Sequence, residues 1–224
     1  MKKLIVFSRF IALFILSVSA FSSFASEVIL TSNGLKTKEI ESNGGPKTKE
    51  QSLSLGVLIE NRLGGDLAYF AGGEMELVSY SGDNSPEDAT NFSLRGGFKN
   101  YFKAINESFF PYVSAFADME NSKTLESYTV QNESTGLFYG VGAGLKMPLG
   151  PLNEFELNDW VAFLSIDLTI FRSALMQNEK KTTTNRDETS GLVTSTEEET
   201  KRRELYVKSN SFFNDISIGL GFQF

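Results

Sequence analysis

From Asp215 to Phe224 the chain alternates without a break. Ile216, Ile218, Leu220, Phe222 and Phe224 are apolar, and between them stand Asp215, Ser217, Gly219, Gly221 and Gln223. A period of two, with one apolar face and one small or polar face, describes a strand lying between two different environments. The pattern continues to the final residue, so the carboxyl terminus itself is expected to close a sheet.

The same period recurs along the chain. Leu53 to Ile59, Leu67 to Leu77, Phe92 to Phe98, Val113 to Met119, Leu137 to Leu145 and Trp160 to Ile170 each alternate and are separated by turn residues. A shorter segment, Glu27 to Ser32, comes first and brings the count to eight, the even number expected of a closed membrane barrel. The fold class expected is all-β: an antiparallel up-and-down transmembrane β-barrel with long outer hairpins. A soluble β-sandwich shows similar alternation, so the distinction rests on the faces. The apolar faces carry Trp160, Phe102, Phe222 and Phe224 at their ends, as a lipid boundary requires. The opposite faces carry Glu60, Glu74, Glu76, Arg95, Lys99, Asp118, Lys146, Asp167 and Asp215, expected to point into a polar lumen.

Lys2, Lys3 and Arg9 lead into an apolar run from Phe10 to Leu16, followed by mostly small residues up to Ala25. This is the pattern of a secretory signal peptide over residues 1–25, with cleavage expected after Ala25 and Ala20 as the alternative. Arg9 shortens the run below the roughly 20 apolar residues of a spanning helix, which disfavours an uncleaved anchor. Residues 26–224 then form the barrel domain. The whole chain has net charge −7, and losing three basic residues makes the exported part more acidic still. Such a charge disfavours nucleic acid as a partner.

With no cysteine and no histidine, the usual nucleophile–base pairs and thiolate metal sites are unavailable. No enzymatic role is expected and no cofactor is called for. Asp118 with Asp167 could serve as acid and base, but their spacing singles out nothing. The lumen charges Glu74, Glu76, Arg95, Lys99, Asp118, Lys146 and Asp167 are expected to form a salt-bridge network. Phe70, Phe116, Phe138 and Phe163 point inward with them, and an eight-stranded barrel has room for little besides its own side chains. Gly140, Gly142 and Gly144 alternate within a strand. They are expected to bend the wall or make room for large lumen residues, not to cradle phosphate.

Short links at Arg62 to Asp66, Phe102 to Phe109 and from Met147 to Pro151 alternate with longer polar ones. The longer links are Ser32 to Lys49, Ser81 to Ala89, Glu120 to Ser134 and Gln177 to Lys208. Short turns belong to the periplasmic rim and long loops to the outside. Two long links read as hairpins. Asn43-Gly44 is a two-residue turn signal that pairs Leu30 with Val57 and Val28 with Ile59, all four facing lipid. Thr189-Ser190-Gly191 is a three-residue turn that pairs Lys181 with Glu199 and Glu179 with Lys201. Extended without a bulge, it sets Asp167 opposite Phe213.

The ending Ser217-Ile-Gly219-Leu-Gly-Phe222-Gln-Phe224 resembles the C-terminal signal by which barrel-assembly machinery recognises outer-membrane proteins. The match falls at Ser217, Gly219, Phe222 and Phe224. Asn100-Tyr-Phe102, Phe110-Pro-Tyr-Val113 and Tyr139-Gly-Val-Gly-Ala-Gly-Leu145 are similar to small outer-membrane β-barrels of the OmpA/OmpX type. The resemblance implies an outer-membrane location, lipid as surroundings, and the assembly machinery as a partner during biogenesis. No peptidoglycan-binding domain follows the barrel, so an anchoring role is not implied. Two functions remain open: a structural or surface-interaction protein meeting an extracellular protein or host ligand through its outer loops, and a narrow porin-like channel.

Overall fold

Alternation becomes strand throughout the described residues. A computed structural model describes residues 27–40, 48–82, 88–105, 108–127, 130–151, 161–186, 193–206 and 212–223. The expected leader, Trp160, Phe224 and the turns at Asn43-Gly44 and Thr189-Ser190-Gly191 lie outside the described residues.

The strands are β1 (Glu27–Ser32), β2 (Leu35–Ile40), β3 (Thr48–Gly64), β4 (Leu67–Ser81), β5 (Ala89–Tyr101), β6 (Phe110–Ser127), β7 (Val130–Pro151), β8 (Val161–Arg186), β9 (Val193–Tyr206) and β10 (Phe212–Gln223). Neighbours in sequence pair antiparallel from β3 to β8. β1 and β2 both pair with β3, so they are one wall strand interrupted at Asn33-Gly34, where Gly34 has φ 73°. β9 and β10 likewise both pair with β8. The wall is therefore an eight-stranded, up-and-down antiparallel barrel. It closes where β1 pairs with β10, from Glu27↔Gln223 to Ser32↔Ile218.

The first-strand register is as expected, with Leu30 opposite Val57 and Val28 opposite Ile59, but β2 lies one residue off the ladder that the Asn43-Gly44 turn predicts, with Lys36 opposite Ser52 in place of Gln51. Leu30, Val57 and Ile59 are half-buried, whereas Val28 is fully buried and not the exposed lipid-facing residue expected. The outer register of the last hairpin is also as expected, Lys181↔Glu199 and Glu179↔Lys201. Its unbulged extension is not. Asp167 stands opposite Ser217 in place of Phe213. Between Tyr206 and Asp215 the last wall strand carries four more residues than β8 does between Ala174 and Thr169. Four is an even number, so the inward and outward faces survive the slip.

The outward face forms an apolar belt. Phe92, Leu94, Phe98, Ile216 and Ile218 are each more than half exposed, in a register that sets apolar beside apolar on neighbouring strands. Charged residues are absent from this face of the wall between Leu94 and Phe98 on β5 and between Ile216 and Leu220 on β10. Such a surface suits hydrocarbon, not water, and the barrel is consistent with a transmembrane one.

The expected contrast between short turns and long loops is corrected. β6 and β7 are separated by only two residues, and β7 and β8 by nine. The two rims differ in how far the strands project. A tilted membrane strand needs about 9–11 residues, yet β7 has 22 and β8 has 26. The polar stretches Glu120–Ser127, Val130–Ser134, Gln177–Arg186 and Val193–Arg203 are strand, not loop. Charge there reports solvent on both faces, which leaves backbone pairing intact.

Candidate functional site

Inward side chains fall into two layers. The lower layer, toward the turns that join β3 to β4 and β5 to β6, is closely packed. Lys99 Nζ lies 3.0 Å from Glu60 Oε2 and 3.9 Å from Asp167 Oδ1. The Tyr101 hydroxyl donates to Glu60 and the Tyr112 hydroxyl donates to Asp167. The two tyrosine rings are 5.2 Å apart. Lys146 pairs with Glu27 and sits 3.9 Å from the centre of the Phe163 ring. Tyr112, Lys99, Phe163, Glu27 and Glu60 are fully buried here.

Glycine makes this filling possible. A Cβ on Gly144 would enter the Tyr112 ring, one on Gly140 would meet Phe116, and one on Gly221 would enter the Phe163 ring. Of the two roles expected for Gly140 and Gly144, these contacts point to making room. Large side chains can cross so narrow a lumen only where the facing wall carries none.

The upper layer centres on Asp118, whose side chain is 1% exposed. Its Oδ2 receives Arg95 at 3.2 Å and Arg172 at 3.1 Å, and Arg172 also reaches Glu120 at 2.6 Å. Arg95 lies over the Phe116 ring and Arg172 over the Phe138 ring. Beside this group is a cavity of about 230 Å³, lined by Glu74, Glu76 and Asp215 as well as Asp118, Arg95 and Arg172.

The inward positions are those expected, but the expected pairing needs correction. Glu74 accepts from Asn33 and Ser54, and Glu76 accepts from Asn91. Neither is joined to Arg95 or Lys99. The register explains this, because Glu74 stands opposite Ser93 while Arg95 stands opposite Gly72 and Asp118. Lys99 lies further toward the rim, opposite Ala68 and Ser114. Asp118 and Asp167 belong to different ion-pair groups, which gives no support to an acid–base pairing.

Arg172 was missed. By simple alternation it shares the outward parity of Leu164, Ile166 and Leu168. A bulge intervenes: Thr169 pairs with Gly142 and Phe171 with Val141, leaving Ile170 over and turning Arg172 inward. The signal was an arginine at a nominally lipid-facing position. A second bulge, between Ala174↔Phe138 and Met176↔Leu137, restores the original parity.

Of the residues expected to form an assembly signal, Ser217 faces the cavity, Gly219 lies where a Cβ would meet Ser165 and Ile29, and Phe222 pairs between Val28 and Ala162. Above the belt, β6 to β9 continue as one sheet with its own ion pairs. Lys180 Nζ lies 2.8 Å from Glu198, and this contact holds the lysine above its usual range. Lys181 lies 3.0 Å from Glu126, whose carboxyl is held low by hydrogen bonds from Asn132 and Lys181.

No protein-family model and no curated protein sequence matches the chain. Among solved structures, the β domain of the Bordetella autotransporter BrkA is similar at 9% identity and a TM-score of 0.26. That alignment covers 89% of this chain and 99% of the other. At that score the likeness carries no argument about what this chain does, and its reading rests on the lumen and the outer sheet.

Proposed function

We propose that this chain is an integral outer-membrane barrel, exported by a cleaved signal peptide, that acts as a structural and surface-interaction protein through its projecting sheet. In this reading the lumen is a polar core and the protein is not an enzyme. One observation supports it above the others: the lower lumen is filled by the Glu60–Lys99–Asp167 group, Tyr101, Tyr112 and Phe163, while β6 to β9 continue as ordered strand well past the apolar belt. An interior spent on packing leaves the outer surface as the place for recognition. The finer likeness to the OmpA/OmpX type rests on residue patterns alone.

Fractionation and surface proteolysis test this. The protein should sediment with outer membranes, keep heat-modifiable mobility, and lose its outer hairpins to trypsin added to intact cells. Recovery in the periplasm, or hairpins protected until the envelope is opened, would reject it. Deleting Asn178–Arg203 should leave barrel folding intact and abolish surface binding; unchanged binding would reject the role of that hairpin.

A narrow channel is the second reading, favoured by the roughly 230 Å³ cavity and its excess of carboxylates. Planar-bilayer recordings separate the two. Silence supports a sealed lumen, and steady conductance altered by Arg95→Ala supports a pore.

A further inference from the structure

β9 has an open edge. It pairs with β8 from Ala174↔Tyr206 to Arg186↔Val193, and among the described residues no strand pairs with its other side. Edges of this kind offer a row of backbone donors and acceptors, and proteins commonly guard them with charge. A guard of one sign repels its own copies in every register. Here Glu197-Glu198-Glu199 is followed by Thr200 and then by Lys201-Arg202-Arg203, so the sign inverts about Thr200.

We propose that β9 pairs antiparallel with β9 of a second copy of this chain, about a two-fold axis at Thr200, so that two barrels meet head to head. The inference rests on the outward placement of this sheet proposed above. The register sets Glu199 opposite Lys201, Glu198 opposite Arg202 and Glu197 opposite Arg203, and symmetry repeats each opposition. Residues opposed in a continuous sheet share a face, so the strands can slide only in steps of two. A step one way puts Glu199 against its own copy on the axis, and a step the other way does the same to Lys201. Parallel pairing in register sets every charge against its own kind.

The rest of the sheet agrees with the axis. Lys181 is opposite Glu199, and Glu179 is opposite Lys201. Across the junction the row therefore reads Lys181, Glu199, then Lys201 and Glu179 of the second copy, alternating in sign over four strands. The contacts of Lys180 with Glu198 and of Glu179 with Arg203 are half-exposed and stay available as flanking members of the same ladders.

Geometry also says where the second copy sits. The two-fold axis relating antiparallel neighbours in one sheet is perpendicular to that sheet. A barrel wall stands on its membrane, so this axis lies in the membrane plane, and rotation about it reverses the outward direction. Copies side by side in one membrane are related by an axis along the membrane normal and cannot form this pair. The contact joins two facing membranes.

The test uses the full chain in phosphatidylcholine vesicles, with clustering read by light scattering and folding checked by heat-modifiable mobility. Wild-type vesicles should cluster. Vesicles carrying E197K/E198K/E199K or K201E/R202E/R203E should stay dispersed alone and cluster when the two are mixed. Dispersed wild type, or a mixture that stays dispersed, overturns the proposal. Cysteine cross-linking gives a second measurement in a chain with no cysteine of its own. T200C places two thiols at the axis and should link copies, whereas E204C falls opposite Thr196 and should not. Equal linking by both, or by neither, overturns the proposal. Failure here with trypsin-accessible hairpins on intact cells leaves the surface-protein reading standing.

Discussion

Replacing Lys99 by methionine tests whether the lumen is a core or a waterway. Methionine keeps most of the side-chain volume but not the ammonium, which lies 5.3 Å from the centre of the Phe70 ring and 4.5 Å from that of Tyr112. What disappears is a cation 2% exposed, shared by Glu60, itself fully buried, and Asp167. The two carboxylates would then lose the cation they share and keep the Tyr101 and Tyr112 hydroxyls as donors. Removing one partner from a buried ion pair costs about 3–5 kcal/mol, a large part of the roughly 5–15 kcal/mol by which domains are stable. Glu60→Gln should cost less, about 1–3 kcal/mol, because Lys99 keeps Asp167. The double variant should fall short of the summed costs by about 0.5–3 kcal/mol, since it removes both members of one contact. Urea titrations in micelles, approached from folded and unfolded protein and followed by the single tryptophan, give the four values. A loss below about 1 kcal/mol in Lys99→Met is the size of an exposed pair. That result would mean water solvates the lumen, and the sealed-core argument would fail.

Other perturbations give smaller or more local effects. Arg172→Met should destabilise by less than Lys99→Met, because Arg95 still pairs with Asp118; equal losses in the same urea titration would contradict the shared-carboxylate geometry. Gly144→Ala should cost about 1–3 kcal/mol or lower folding yield by forcing the Tyr112 ring aside, whereas Gly34→Ala meets open space and should show only the strain of its φ of 73°. The hairpin pairs give a pH window with a definite sign. Glu126 is lowered in the fold, so its contribution is present above the unfolded value of 4.5 and is lost as pH falls through the lowered one. Lys180 is raised, so its contribution is present below 10.5 and is lost as pH rises through the raised value. Brief proteolysis of the outer hairpins should be slowest between those limits, and the acid-side loss should vanish in Glu126→Gln.

The barrel was legible because lipid and lumen impose opposite demands on alternate residues, and each strand records both. Even the short first strand, Glu27–Ser32, appeared at its observed limits, and its register against β3 is the one expected, although the turn signal behind that expectation misplaces β2 by one residue. Legibility stopped where that contrast stops. Above the belt both faces meet water, so Glu120–Ser127 and Val193–Arg203 carry charge on both sides and resemble loops. Their turn residues, the complementary signs of Lys181 and Glu199, and the β-branched run Thr182-Thr-Thr184 marked some of them as strand.

Pairing inside the lumen was illegible for a different reason. Parity says which face a residue occupies, while register and bulges say which neighbours it meets, and neither is local. Glu74 and Arg95 share the lumen yet have other partners, because the register sets Arg95 beside Asp118. Arg172 shows the more general rule. A single extra residue at Ile170 converts a position that would place a guanidinium in hydrocarbon into the partner of Asp118 and Glu120. An arginine on the lipid-facing parity of a wall strand costs about 2–4 kcal/mol near the bilayer midplane. That cost is itself evidence for a bulge between such a residue and the last apolar position before it. Read this way, Arg172 after Thr169-Ile170-Phe171 requires the kink, and the kink sets the upper ion-pair layer at the height where the strands leave the apolar belt.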